Sequence, residues 1–193
     1  MNEYMIRAFR QGKRGNCVSI AVIKAAMAHY GPDNIFTNVT ALSGGRHKIL
    51  MRDGFETLVR PHEIDKATRH SRFLKGKDED LREKAYFYFA AMAKRVLVEG
   101  EIDVFLGTRT LRGALRSLNN GENYTEGFKW LGLTPFTKEI PLDQIDAHEN
   151  LVGVSRGHCY YITKGVLDNY GKPLPHQEAT TSSFKTKTLV LLE

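Results

Sequence analysis

Cysteine is scarce in this chain: two residues in 193, Cys17 and Cys159. Two thiols build neither a disulfide framework nor a zinc-finger spacing. No apolar run approaches the length that spans a bilayer, so no membrane segment is expected. Met1-Asn2-Glu3-Tyr4-Met5-Ile6-Arg7 has no export-signal core, which points to a reducing, cytoplasmic compartment and free thiols. Tryptophan occurs once, at Trp130. Internal repeats, low-complexity tracts, heptads and RNP-type runs are all missing, so no specific nucleic-acid motif is present. What is present is ordinary for a globular chain: 41% apolar and 26% charged residues, with enough length to bury a real core.

The net charge is +6. Its only cluster, Arg69-His70-Ser71-Arg72-Phe73-Leu74-Lys75-Gly76-Lys77, reads as a solvated loop ahead of an acidic helix start. A nucleic-acid or acidic-partner patch is the sharper alternative. Ser43-Gly44-Gly45-Arg46-His47-Lys48 is glycine-rich but lacks the Gly-Lys-Ser/Thr ending of a phosphate loop, and reads as a turn. His62-Glu63 has no second histidine at helical spacing, so no metal motif arises there.

Patterning predicts an α+β fold in a single domain, residues 1–193, with about 1–120 mainly helical and about 121–193 mainly an antiparallel β-sheet. Helices are expected at Cys17–Tyr30, at about Pro61–Arg69, from Asp78 through Leu97, and at Thr110–Leu118. Residues 34–60 read as loops and short helical turns. Strands are expected at Phe136–Ile140, Leu151–Val154, His158–Thr163, Val166–Asn169 and Thr186–Leu192.

One stretch carries chemistry. Gln11 stands six residues before Cys17, with Gly12 and Gly15 between them. From Cys17 to Tyr30 nearly every position is apolar, and Gly31-Pro32 stops the run. A helix apolar all round is buried. A thiol is therefore delivered to the first turn of a buried helix, where free N–H groups favour the thiolate and can hold a nearby oxyanion. The Gln11 amide would be a second oxyanion donor. Taken alone, Cys17 reads as a small buried core residue.

The late half supplies partners. If Lys164-Gly165 is a two-residue turn, Thr163 pairs with Val166, and His158, Tyr160 and Ile162 share a face with Leu167 and Asn169. Asp168 then points to the other face with Cys159, whose parity turns it away as a structural thiol. In this register Asn169 is diagonal to His158 and able to orient its ring; a one-residue bulge would give that role to Asp168. A cysteine nucleophile needs a histidine base, and the histidine needs a third group to fix its tautomer. Cys17, His158 and Asn169, with Gln11, are the candidate catalytic residues, and Asp168 is the alternative acid.

This arrangement resembles the papain-like cysteine peptidases, a superfamily that includes calpain. There a glutamine precedes the catalytic cysteine by six, the cysteine opens the central helix of a helical lobe, and a Gly-His-small-aromatic strand of the β-lobe brings the base. Gln11…Cys17 and Gly157-His158-Cys159-Tyr160 are similar. The family's Asn-x-Trp-Gly pattern is reduced to Asn169-Tyr170-Gly171, and Val18 follows Cys17 where tryptophan is common. The resemblance implies a papain-like fold and a peptide or protein substrate. It implies Cys17 as nucleophile, His158 as base, Asn169 as orienter and Gln11 as oxyanion residue, with no cofactor or metal. A cysteine hydrolase acting on a peptide or isopeptide bond, a transglutaminase-like or toxin-type acyltransferase, and a non-catalytic basic binding protein all remain open. Trp130 and Tyr86-Phe87-Tyr88-Phe89 are candidates to line a cleft or to fill the core. Oligomeric state is not legible.

Overall fold

Eleven successive residues, Cys17 to Met27, are buried, so the helix that carries them is covered on every side. The computed structural model describes residues 2–101 and 109–193. In chain order its elements are α1 (Asn2–Ala8), β1 (Phe9–Arg10), α2 (Cys17–Tyr30), β2 (Asn38–Leu42), β3 (Arg46–Leu50), β4 (Glu56–Val59), α3 (Pro61–Ser71), β5 (Leu74–Lys75), α4 (Glu79–Glu99), α5 (Leu111–Ser117), α6 (Tyr124–Leu131), β6 (Thr137–Ile140), β7 (Leu151–Ser155), β8 (His158–Thr163), β9 (Val166–Asn169), β10 (Lys172–Pro175) and β11 (Thr188–Leu192). The fold is α+β. Among the described residues no helix is long and apolar enough to cross a membrane.

Six strands form one antiparallel sheet in the order β10-β9-β8-β7-β11-β6. β8 is buried along its whole length and packs against α2. Alternation along β8 divides the core. Cys159 and Tyr161 join the main cluster with α2, Val152, Val190 and Leu192. Tyr160 and Ile162 face a second cluster with Leu167, Leu151, Leu189 and Phe184. On its other side α2 meets α4 and α6. Gly127 permits the α6 contact: a Cβ there would lie 2.6 Å from Val18 Cγ1. Fully buried Ile23, Met27, Phe89 and Met92 each contribute about 1.5–3 kcal/mol.

The Lys164-Gly165 hairpin forms in the expected register, with Thr163 opposite Val166 and Ile162 opposite Leu167. Both turn residues have positive φ, 45° and 72°, as a two-residue turn between twisted strands requires. The pairing ends there. Asp168 and Asn169 pair instead with Pro173 and Lys172 of β10, a strand that was not foreseen. Its two prolines suit its place at the sheet edge.

Residues 34–60 depart from the loop reading, since β2, β3 and β4 form a three-stranded antiparallel sheet. Every residue of β2 is exposed, and only Ile49 and Val59 of the other two strands are buried. With no buried face, the alternation that marks a strand is missing. The expected division at residue 120 also blurs, because α6 lies beyond it. Asn123 and Glu126 cap α6 reciprocally, and Gly132 ends it at φ 76°. Residues 102–108 of the expected helical part lie outside the described residues.

Candidate active site

Residues 11–16 deliver Cys17 through a scaffold of backbone contacts. Gly15 is held on both sides, its N–H donating to Asn119 O at 3.2 Å and its carbonyl accepting from Gly121 N–H at 2.9 Å. Asn16 is buried, yet its side chain does not cap α2. It donates to Ser71 O and Asn119 Oδ1, both at 2.7 Å, tying the loop to α3 and α5. The first N–H groups of α2 are thus left without a side-chain cap, which is the setting that stabilises an anion.

Cys17, His158 and Cys159 meet at this point, 8%, 9% and 6% exposed. The Cys159 thiol, the His158 ring and the Cys159 backbone N–H all act on the Cys17 sulfur and favour its thiolate. The Cys159 thiol is the strongest influence holding the Cys17 pKa below the ordinary thiol range. Burial pushes the other way, and His158 adds its own hydrogen bond and charge to the lowering. Cys159 moves up, first because it donates to Cys17, then through burial, then through the charges of Cys17 and Glu122. One thiol of the pair is therefore poised as thiolate and the other as its donor.

The strand parity of Cys159 has the consequence opposite to that expected. Its face of β8 is the one that meets α2, so Cys159 is turned towards Cys17. His158 belongs to the opposite face and reaches the thiol from the first position of the strand. Gly157, at φ 76°, makes the tight turn that places it there. The ring is fixed by aromatic packing: Tyr170 stacks on it at 5.1 Å and 19°, and Phe184 meets it edge-on at 5.3 Å. Tyr170 stands in the left-handed region, φ 49°, which aims its side chain back at the imidazole.

A crevice of about 10 Å³, room for a single water at most, runs between α2 and β8. Gln11, His158, Cys159, Tyr170 and Asp168 line it. The Gln11 amide donates one N–H to Arg14 O at 2.6 Å, which fixes the group and leaves its second N–H to donate elsewhere. Asp168 is committed: Oδ2 lies 2.5 Å from the Nζ of fully buried Lys24, and Oδ1 accepts from Gly171 N–H at 2.6 Å. The Asn169 side chain makes no hydrogen bond to a described residue and does not line the crevice. Three of the five sequence-predicted residues, Gln11, His158 and Asp168, thus line one crevice; Cys17 is joined to it through His158 and Cys159, which act on its thiol, and Asn169 stands apart. Trp130, Tyr88 and Phe89 are core residues.

Four further residues belong to the site: Cys159, Tyr170, Phe184 and Glu122, whose Oε2 accepts from Ser19 Oγ at 3.0 Å. Tyr170 was signalled by its place in Asn169-Tyr170-Gly171. Phe184 and Glu122 carry no local signal. Among the described residues no three metal-binding side chains are grouped to hold an ion.

The Cys159 contact predicts a shift in reactivity. Cys159→Ala removes a hydrogen bond to a charged sulfur worth about 1.5–3 kcal/mol, so the pH midpoint for alkylation of Cys17 moves up by about one to two pH units. Iodoacetamide labelling followed by peptide mass spectrometry measures this. An unmoved midpoint would remove Cys159 from the activation of Cys17.

Fold and site together define an α+β protein with a buried thiol pair held against an imidazole. Comparison with protein-family models, curated proteins and solved structures finds no match to the chain.

Proposed function

We propose that this protein is a cysteine-dependent hydrolase, acting on a peptide or isopeptide bond through an acyl-enzyme on Cys17. One observation carries the reading. The thiol at the N-terminus of a buried helix is favoured as thiolate by the imidazole of a histidine from a strand 141 positions later (Cys17 to His158, 158 − 17). A thiolate attacks the carbonyl carbon. The α2 N–H groups and the free Gln11 N–H hold the oxygen as it gains charge. His158 gives its proton to the leaving amine, then takes one from water as the thioester is hydrolysed. The papain-like resemblance supports the same roles for Cys17, His158 and Gln11. Where the family orients the ring with an amide hydrogen bond, here Tyr170 and Phe184 pack against the imidazole. No step calls for a cofactor.

An acyltransferase uses the same thioester and differs only in what attacks it. Acid quenching during turnover of a peptide pool should leave a mass adduct on the Cys17 peptide. Product carboxylates carrying ¹⁸O from labelled water identify hydrolysis. Amine-coupled products identify transfer, and no adduct on Cys17 would leave the binding-protein reading.

A further inference from the structure

A concavity lies on the other side of the loop that carries Gln11, and nothing in the proposed chemistry uses it. It has a volume of about 720 Å³, within the range of ligand-binding clefts. Lys13 and Arg14 of the loop and Arg69 and Arg72 at the end of α3 form its rim, with Phe73 and Leu74 below them. The loop and the helix end touch at Gly12, where a Cβ would sit 2.2 Å from Arg72 O. The groove and the crevice lined by His158 and Cys159 are therefore reached from one short segment, Gln11 lining the crevice and Lys13 and Arg14 the groove.

The charge here is unbalanced. None of the four rim cations has a carboxylate partner within ion-pair distance among the described residues, whereas Lys24, Lys94 and Arg95 are all paired. Arg112 and Arg116 of α5 add to the excess from the neighbouring helix. His70 between them is lowered first by burial and then by Arg112, Arg14, Arg116 and Arg69. Four exposed, unpaired cations around an apolar floor are complementary to an anion that also has an apolar part.

We propose that this groove binds an acidic segment of a protein substrate, with carboxylates on the Lys13, Arg14, Arg69 and Arg72 rim and an apolar side chain over the exposed Leu74. The assignment rests on the hydrolase reading for the word substrate; the binding itself does not. An extended peptide matches the mixed lining, since its side chains alternate between rim and floor. A small inorganic anion would meet only part of the rim, and a nucleic acid would find no exposed ring for base stacking, because Phe73 is 5% exposed.

The test uses the full chain carrying Cys17→Ala, so that binding is read without turnover. The probe is a fluorescent peptide with glutamates flanking leucines, followed by anisotropy. Binding is expected to weaken with rising salt, and to fall by about tenfold or more in Arg69→Glu/Arg72→Glu. Lys164→Glu, on the far hairpin turn, should leave it unchanged. A glutamine version of the peptide that binds equally well overturns the proposal, as does affinity indifferent to the double charge reversal at an unchanged melting temperature. Single-stranded RNA binding more tightly at the same residues also overturns it, in favour of a nucleic-acid surface. Peptide binding by Cys17→Ala, together with no acyl adduct on Cys17 of the wild-type chain during turnover, upholds the groove and sinks the hydrolase reading alone.

Discussion

Cys17→Ala is expected to abolish turnover while the fold and melting temperature stay close to wild type, since it removes one sulfur from the end of a helix whose packing is otherwise complete. His158→Ala should lower kcat/KM by about a thousandfold or more, the scale for losing a base that also donates to the leaving group. The two variants are separated by thiol chemistry. In the wild type, Cys17 should be alkylated far faster than Cys159 and should remain reactive well below pH 7, because Cys159 and His158 both favour its thiolate. Cys159, pushed the other way, should react slowly at every pH where the fold persists. His158→Ala removes a donor and a positive charge, so the Cys17 alkylation profile should move to higher pH. Equal, slow labelling of both cysteines at the rate of an ordinary thiol would sink the activated-thiolate reading. Activity retained by Cys17→Ala would sink the nucleophile assignment itself.

The parts of the fold that were legible are those whose local chemistry is self-sufficient. Cys17–Tyr30 is apolar at nearly every position and ends at Gly31, so its bounds follow from the chain alone. The β8–β9 hairpin follows from β-branched and aromatic runs around Lys164-Gly165. Asp78 accepts from Leu81 N–H at 2.9 Å and opens α4 where the acidic cluster places it. α1, by contrast, is seven residues long and gives too few turns to show a period. The site was legible in its residue types and less so in its orientation. Alternation sorts His158 from Cys159, but which of the two faces α2 covers is decided by tertiary packing. Hence the thiol assigned to the far side is the one that touches Cys17. Phe184 belongs to an irregular segment before β11, and no spacing connects it to a histidine 26 positions earlier (184 − 158).

Asp168 is the residue on which the structural and catalytic readings divide most sharply. Its carboxylate lies against Lys24 Nζ, which is fully buried, donates to Ile6 O at 3.0 Å and sits over the Phe9 ring. Asp168→Ala would leave that ammonium without its counter-charge, at a cost of about 3–5 kcal/mol. Burial already lowers the Lys24 pKa, and the Asp168 charge is what opposes it. In Asp168→Asn, Lys24 should therefore fold neutral while the unfolded chain still binds its proton. Because the unfolded state then holds more protons, stability of the variant should rise with pH, by about 1.4 kcal/mol per unit below the free-lysine range, a dependence much weaker in the wild type. Lys24→Met combined with Asp168→Leu should recover part of the loss seen in Asp168→Ala, since no unpaired charge remains. Ile6 O and Gly171 N–H would still lack partners, so recovery should be incomplete. Urea unfolding at two pH values, with turnover measured on the folded fraction, decides the matter. If Asp168→Ala keeps its stability and loses turnover, the carboxylate serves the imidazole and not the lysine, and the aromatic packing of Tyr170 and Phe184 is not what holds His158 in place.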